Sequence, residues 1–201
     1  SRTMLSDRGA NLTLDVSGIS FAAGEAPAVL HLTGYSFFHR DHIDDLVRLM
    51  NQVTSSGGQV VLDASSAGFL ADHGAQWWWE IASQATILRA NEDEARFLTG
   101  TDDMGQAVEE FTQHGLTGIV TLAEQGAIVC SAGRAPVHRP AHPLGEGGLV
   151  DPTGAGDSFS AGLISRLLLG ETIEQAVDEG LRVSAQAVSQ AGARPSLPQR
   201  H

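Results

Sequence analysis

Residues 149–164, Leu-Val-Asp-Pro-Thr-Gly-Ala-Gly-Asp-Ser-Phe-Ser-Ala-Gly-Leu-Ile, constrain this chain more than any other stretch. Leu149 and Val150 end an extended segment, and Asp151-Pro152 breaks it, because proline locks φ and has no N–H to donate. Gly154-Ala155-Gly156 follows as a turn of small residues. From Ala155 onward Phe159, Gly162-Leu163 and Leu167 recur at helical spacing. The stretch therefore reads as a loop that feeds straight into a helix N-terminus. Such an end leaves N–H groups unpaired and carries partial positive charge, and glycines let a ligand approach the backbone, so it suits an anion such as phosphate. Asp157 admits two roles. It is an acid in the first helical turn, worth about 0.3–1 kcal/mol, or it is a base that takes the proton of a hydroxyl attacking that phosphate.

The rest of the chain sets the frame. Its 201 residues are enough for one substantial core, and 42% are apolar. No run reaches the roughly 18 apolar residues of a membrane span, and no signal peptide is visible, so no membrane partner is expected. A single cysteine, Cys130, in an apolar β-like run excludes an internal disulfide and fits a cytoplasmic protein. The formal charge of −12, without a basic stripe, excludes nucleic acid as a partner but not a nucleotide. The histidines are scattered, without metal-ligand spacing.

Strand and helix signals alternate. Residues 28–32 read as a buried strand, and Thr33-Gly34 after it lies either in a tight turn or beside a ligand. Ile43, Leu46, Val47 and Met50 mark an amphipathic helix over 41–55 that Gly57-Gly58 stops. Residues 59–63 form a strand ending in Asp63, a carboxylate that caps the next turn or faces a ligand edge. A helix over 74–84 carries Trp77, Trp78 and Trp79, which cannot share one face, so at least one is partly exposed or packed on a partner. Thr86-Ile87-Leu88 is a short strand, and Asn91 with acids behind it caps a helix that ends near Gly100. Helix 103–114, strand 118–122, a turn at 124–126 and a return strand 127–130 follow. Residues 139–148 read as a loop, and a last helix runs from Thr172 to Ser189. The alternation predicts a three-layer α/β/α domain with a mostly parallel sheet and a late β-hairpin. No Gly-x-Gly-x-x-Gly follows the first strand, which excludes a dehydrogenase.

Asp-Pro-Thr-Gly-Ala-Gly-Asp followed by Ser-Phe-Ser-Ala-Gly resembles the second signature of the PfkB (ribokinase-like) carbohydrate kinases, with every position filled. The resemblance extends over nearly the whole chain and implies a ribokinase-like fold, a single nucleotide-binding kinase domain over 1–201, and ATP-dependent phosphorylation of a sugar or sugar-like alcohol. It implies Asp157 as general base and Gly154, Ala155 and Gly156 as the anion hole. Asn91-x-x-Glu94 matches the family's motif for the triphosphate and its Mg²⁺, with Glu94 holding a metal-bound water. Thr121, Ala123 and Gly126 fall where the family contacts nucleotide, although the family usually has glycine at the position of Ala123. Ser184 and Ala187 fall at the adenine pocket, or are small residues of plain helix packing. Asp151, Thr153, Ala187, Gln190, Gly192 and Ser196 fall at a candidate K⁺ site.

The family's N-terminal third, with its lid and much of the sugar site, has no counterpart here. Residues 2–11 resemble the segment just after that lid, with Arg2 and Met4 near the sugar pocket and Gly9-Ala10-Asn11 as a turn. The lid often makes the dimer contact in this family, so a homodimer is a candidate assembly. Two alternatives remain: a nucleoside or other small-alcohol kinase, and a nucleotide-binding fragment without turnover.

Overall fold

A computed structural model describes residues 9, 13, 15–22, 25–37, 40–145 and 147–192. The expectations for Arg2, Met4, Ala10, Asn11 and Ser196 lie outside the described residues. Among the described residues six strands form one sheet whose spatial order follows the sequence: β1 (Val29–Thr33), β2 (Gln59–Asp63), β3 (Ile87–Asn91), β4 (Thr117–Thr121), β5 (Ala127–Cys130) and β6 (Val137–Arg139). β1 to β4 run parallel, and β5 and β6 return antiparallel.

The two faces of the sheet follow strand periodicity, since successive side chains point to opposite sides. Val60, Leu62, Leu88, Ala90 and Val120 join a core with α1 (Ile43–Ser55), α2 (Ala67–His73), α3 (Ala75–Ala82), α4 (Glu92–Thr99) and α5 (Met104–Gln113). Val61, Ile87, Ile119, Ala127 and Val129 join a second core with α6 (Ala155–Leu167) and α7 (Ile173–Val188). Helices thus cover both faces, giving the three layers expected.

Several local readings change. α2 was not foreseen: it is a seven-residue helix opened by Ser66, whose hydroxyl accepts the Phe69 N–H, and it is too short to show a periodic stripe. β6 was not foreseen either, and it meets the expected 139–148 loop only at Arg139: Ala127, Ile128 and Val129 pair with Arg139, His138 and Val137. Leu149 and Val150 belong to no strand; they are 64% and 52% exposed, and Val150 N–H donates to the Val188 carbonyl. The tryptophans divide as one helical turn requires. Trp78 is fully buried, Trp79 stacks on His114 and donates Nε1–H to the Leu98 carbonyl at 3.2 Å, and Trp77 packs on His73.

Candidate active site

Parallel strands end together, and their C-terminal ends carry the polar residues of the site. Thr33 is in register with Asp63, and Asn91 with Thr121. α6 begins above this edge. Its N-cap is Gly154, at φ 76°, and no side chain caps the first turn. Ala155 N–H makes a long 3.3 Å bond to the Pro152 carbonyl, so of the three expected anion-hole residues Ala155 has its amide engaged. Asp157 lies exposed in the same turn.

Two cavities meet on this turn. The first, of about 260 Å³, is lined by Asn91, Thr121, Ala123, Gly126, Ala155, Gly156 and Ser184, bringing five of the expected nucleotide residues together with two of the expected anion-hole residues. The second, of about 350 Å³, is lined by Thr33, Tyr35, Asp63, Ser65, Glu94, Gly154 and Asp157. Ala187 is fully buried and outside both walls. Helical rotation explains this: an adjacent apolar space of about 280 Å³ meets Leu181, Ser184, Ala185 and Val188, one face of α7, whereas Ala187 points away from it.

Asn91 and Glu94 form a reciprocal capping box at the start of α4. Glu94 is 2% exposed, and burial pushes its carboxyl up to about 7. Among the described residues no three His, Cys, Asp or Glu side chains form a metal cage. Mg²⁺ takes oxygen ligands and keeps several waters, using one or two carboxylates plus substrate phosphates. Both Glu94 oxygens already accept from Asn91, at 2.9 and 2.8 Å. A carboxylate oxygen has a second lone pair for a metal-bound water. The residues therefore fit Mg²⁺ that arrives on a triphosphate, not a caged resident ion.

Ala123 has φ +49°, the left-handed region that side chains resist, which is why glycine suits that position. Gly126 has φ +99°, and a Cβ there would lie 2.1 Å from the Arg139 carbonyl oxygen. Its glycine is thus demanded by strand β6 as well as by the cavity it lines.

Of the candidate K⁺ residues, Asp151, Thr153, Ala187, Gln190 and Gly192 are described, and none of them lines either cavity. Asp151 accepts the Thr153 N–H through Oδ1 and the Gly192 N–H through Oδ2, at 2.9 and 3.1 Å. The Ala187 carbonyl accepts the Gln190 N–H. The loop before α6 is thereby tied to the end of α7.

Sequence reading missed Arg89. It is 8% exposed in β3 and lines both cavities. Nη1–H donates to Asp63 Oδ2 at 3.0 Å and Nη2–H to Thr121 Oγ1 at 3.0 Å. The signal was available: a lone cation two residues after Ile87, on the inward face of an otherwise apolar strand. Asp63 accepts the Ser65 N–H at 2.8 Å, as a cap of the next turn would, and it also lines the second cavity.

The family model for the pfkB family carbohydrate kinases matches residues 1–200. The chain belongs to the PfkB family. This PfkB chain is 30% identical to a ribokinase of Haemophilus influenzae over 161 residues, which is 77% of the chain and 49% of the ribokinase. Among solved structures, the adenosine kinase from Sinorhizobium meliloti superposes with a TM-score of 0.80 at 24% identity, covering 92% of the PfkB chain and 56% of that protein. Aminoimidazole riboside kinase from Salmonella enterica, complexed with aminoimidazole riboside and an ATP analog, superposes at 0.72 with 24% identity, over 82% and 57%. These likenesses carry the ribokinase-like fold. The PfkB chain spans about half the length of that ribokinase. No helix among the described residues is long and apolar enough to cross a membrane.

Proposed function

We propose that this chain carries the nucleotide half of an ATP-dependent kinase that phosphorylates a hydroxyl of a sugar or sugar-like alcohol. The observation that carries the reading is the uncapped N-terminus of α6 at the meeting of two cavities, with Asp157 on one, Thr121 on the other and Asn91 on both. ATP enters the first cavity, its base toward Leu181 and Ser184. The acceptor alcohol enters the second. Asp157 takes the hydroxyl proton, and the amides of the first turn of α6 receive the charge of the transferring phosphoryl group. Such transfer rests on positioning and charge stabilisation. A general base contributes about 10²–10⁴-fold, and one anion-hole donor about 10²–10³-fold. Asn91 and Glu94 are the residues that would hold Mg²⁺ arriving on the triphosphate, and the ion would supply charge neutralisation. K⁺ is the candidate ion for the loop held by Asp151, Thr153, Gln190 and Gly192. A homodimer and a cytoplasmic setting complete the reading.

Turnover of ATP with a panel of sugars and nucleosides tests it. Sugar-dependent ADP release supports the sugar reading, and selective release with nucleosides replaces it by a nucleoside kinase. A second reading is a nucleotide-binding fragment, favoured by the chain's span of only half of a ribokinase. ATP binding without turnover on any alcohol supports that one.

A further inference from the structure

Arg89 occupies a position that an apolar residue would fill in an ordinary strand. It alternates with Leu88 and Ala90, both fully buried in the opposite core, and so faces α6. Its guanidinium carbon lies 5.7 Å from the Phe159 ring centroid. A Cβ on Gly156 would sit 3.1 Å from Nη1 and 3.2 Å from Nη2, so the guanidinium packs directly against the first turn of α6. The side chain is 10% exposed, and its Nε–H is buried with no hydrogen-bond partner.

A buried cation is costly unless its donors are paired. Asp63 and Thr121 fix two corners of the fork, yet Asp63 also serves Ser65 and Ser160. Three of the five N–H donors of the fork are left over. The two cavities meet at this residue, the only cation among the described residues that line either of them. A planar fork with spare donors, held rigid beside a helix N-terminus, matches a phosphate group better than a bare strand brace does.

We propose that Arg89 is a catalytic residue that contacts the γ-phosphoryl group of ATP opposite the first turn of α6. The proposal rests on the kinase reading above. In the step it serves, the acceptor oxygen bonds to the γ-phosphorus while the bond from that phosphorus to the bridging oxygen of ADP breaks. The electron pair leaves with ADP, and the hydroxyl proton passes to Asp157. Arg89 holds the equatorial oxygens whose charge is redistributed in that displacement. Asp63 and Thr121 are its positioning residues.

The test is calorimetric titration of the full chain with MgATP and with MgADP, for wild type, Arg89→Gln and Arg89→Lys. The Gln variant is expected to lose about tenfold or more in ATP affinity while ADP affinity stays within about twofold, with the Lys variant between. As a check on the wild-type chain alone, the Arg89 Nε–H resonance, assigned by through-bond connectivity, is expected to shift with ATP and not with ADP. Equal ATP affinity in wild type and Arg89→Gln, or a resonance indifferent to ATP, overturns the assignment of Arg89 alone. A wild-type chain that binds neither nucleotide overturns the kinase reading and this role together.

Discussion

Glu94 accepts two hydrogen bonds from one residue, Asn91, through the backbone N–H at 2.9 Å and the side-chain amide at 2.8 Å, while Asn91 Oδ1 accepts the Glu94 N–H at 2.9 Å. The carboxylate is buried under α4, so it shapes the orientation of Asn91 as much as it addresses any metal.

That burial makes stability depend on pH. Desolvation raises the Glu94 carboxyl to about 7 from 4.5. The folded state therefore binds a proton more tightly than the unfolded state, and stability falls as pH rises from about 4.5 to 7, then levels. By the size of the shift the loss is on the order of 3 kcal/mol. Glu94→Gln is expected to flatten this slope in urea unfolding between pH 5 and 8 and to weaken ATP binding, since its amide meets the Asn91 donors with a donor. A variant with the wild-type slope would exclude Glu94 as the titrating group.

Ala123 sits at φ +49°. A left-handed residue with a side chain costs roughly 1–2 kcal/mol, against about 0.4–1 kcal/mol of unfolded-state entropy that glycine adds. Ala123→Gly is expected to leave stability unchanged or raise it by up to about 1 kcal/mol, read in urea unfolding. A clear loss would show that the Ala123 methyl packs usefully.

Gly126 tolerates nothing larger. The Arg139 carbonyl oxygen stands 2.1 Å from where a Cβ would be, and φ is +99°. Gly126→Ala is expected to cost at least about 2–3 kcal/mol and to detach β6, seen as lost amide protection at residues 137–139. Retained protection and an unchanged melting temperature would refute this.

Asp157 is the reacting group in the proposed transfer and takes no part in the cavity that receives the nucleotide. Asp157→Asn is expected to lower kcat by about 10²-fold or more while ATP affinity stays within about twofold. Turnover near the wild-type rate would remove Asp157 from the mechanism.

Much of this was written in local sequence. The loop-to-helix stretch 149–164, the Asn91 cap and the strand patterns of 59–63 and 118–122 announce themselves because turns, caps and strand periodicity depend on residues a few positions apart. The short helix α2 and the strand β6 escaped for the converse reason: seven residues give no stripe, and β6 exists only through its pairing with β5. Local sequence left Ala187 open between the adenine pocket and helix packing, because its neighbour in space depends on the rotation of α7 against the sheet, which turns it away from both cavities.

The sequence by itself determined the family, the alternation of strands and helices, and the helix N-terminus that offers an anion site, since each is a property of contiguous residues. Only the tertiary structure decided that Asp63, Arg89 and Thr121, on three neighbouring strands, form one buried hydrogen-bonded set against Gly156. Their pairing is a matter of strand register, which brings together residues 26 and 32 positions apart and which no local pattern encodes.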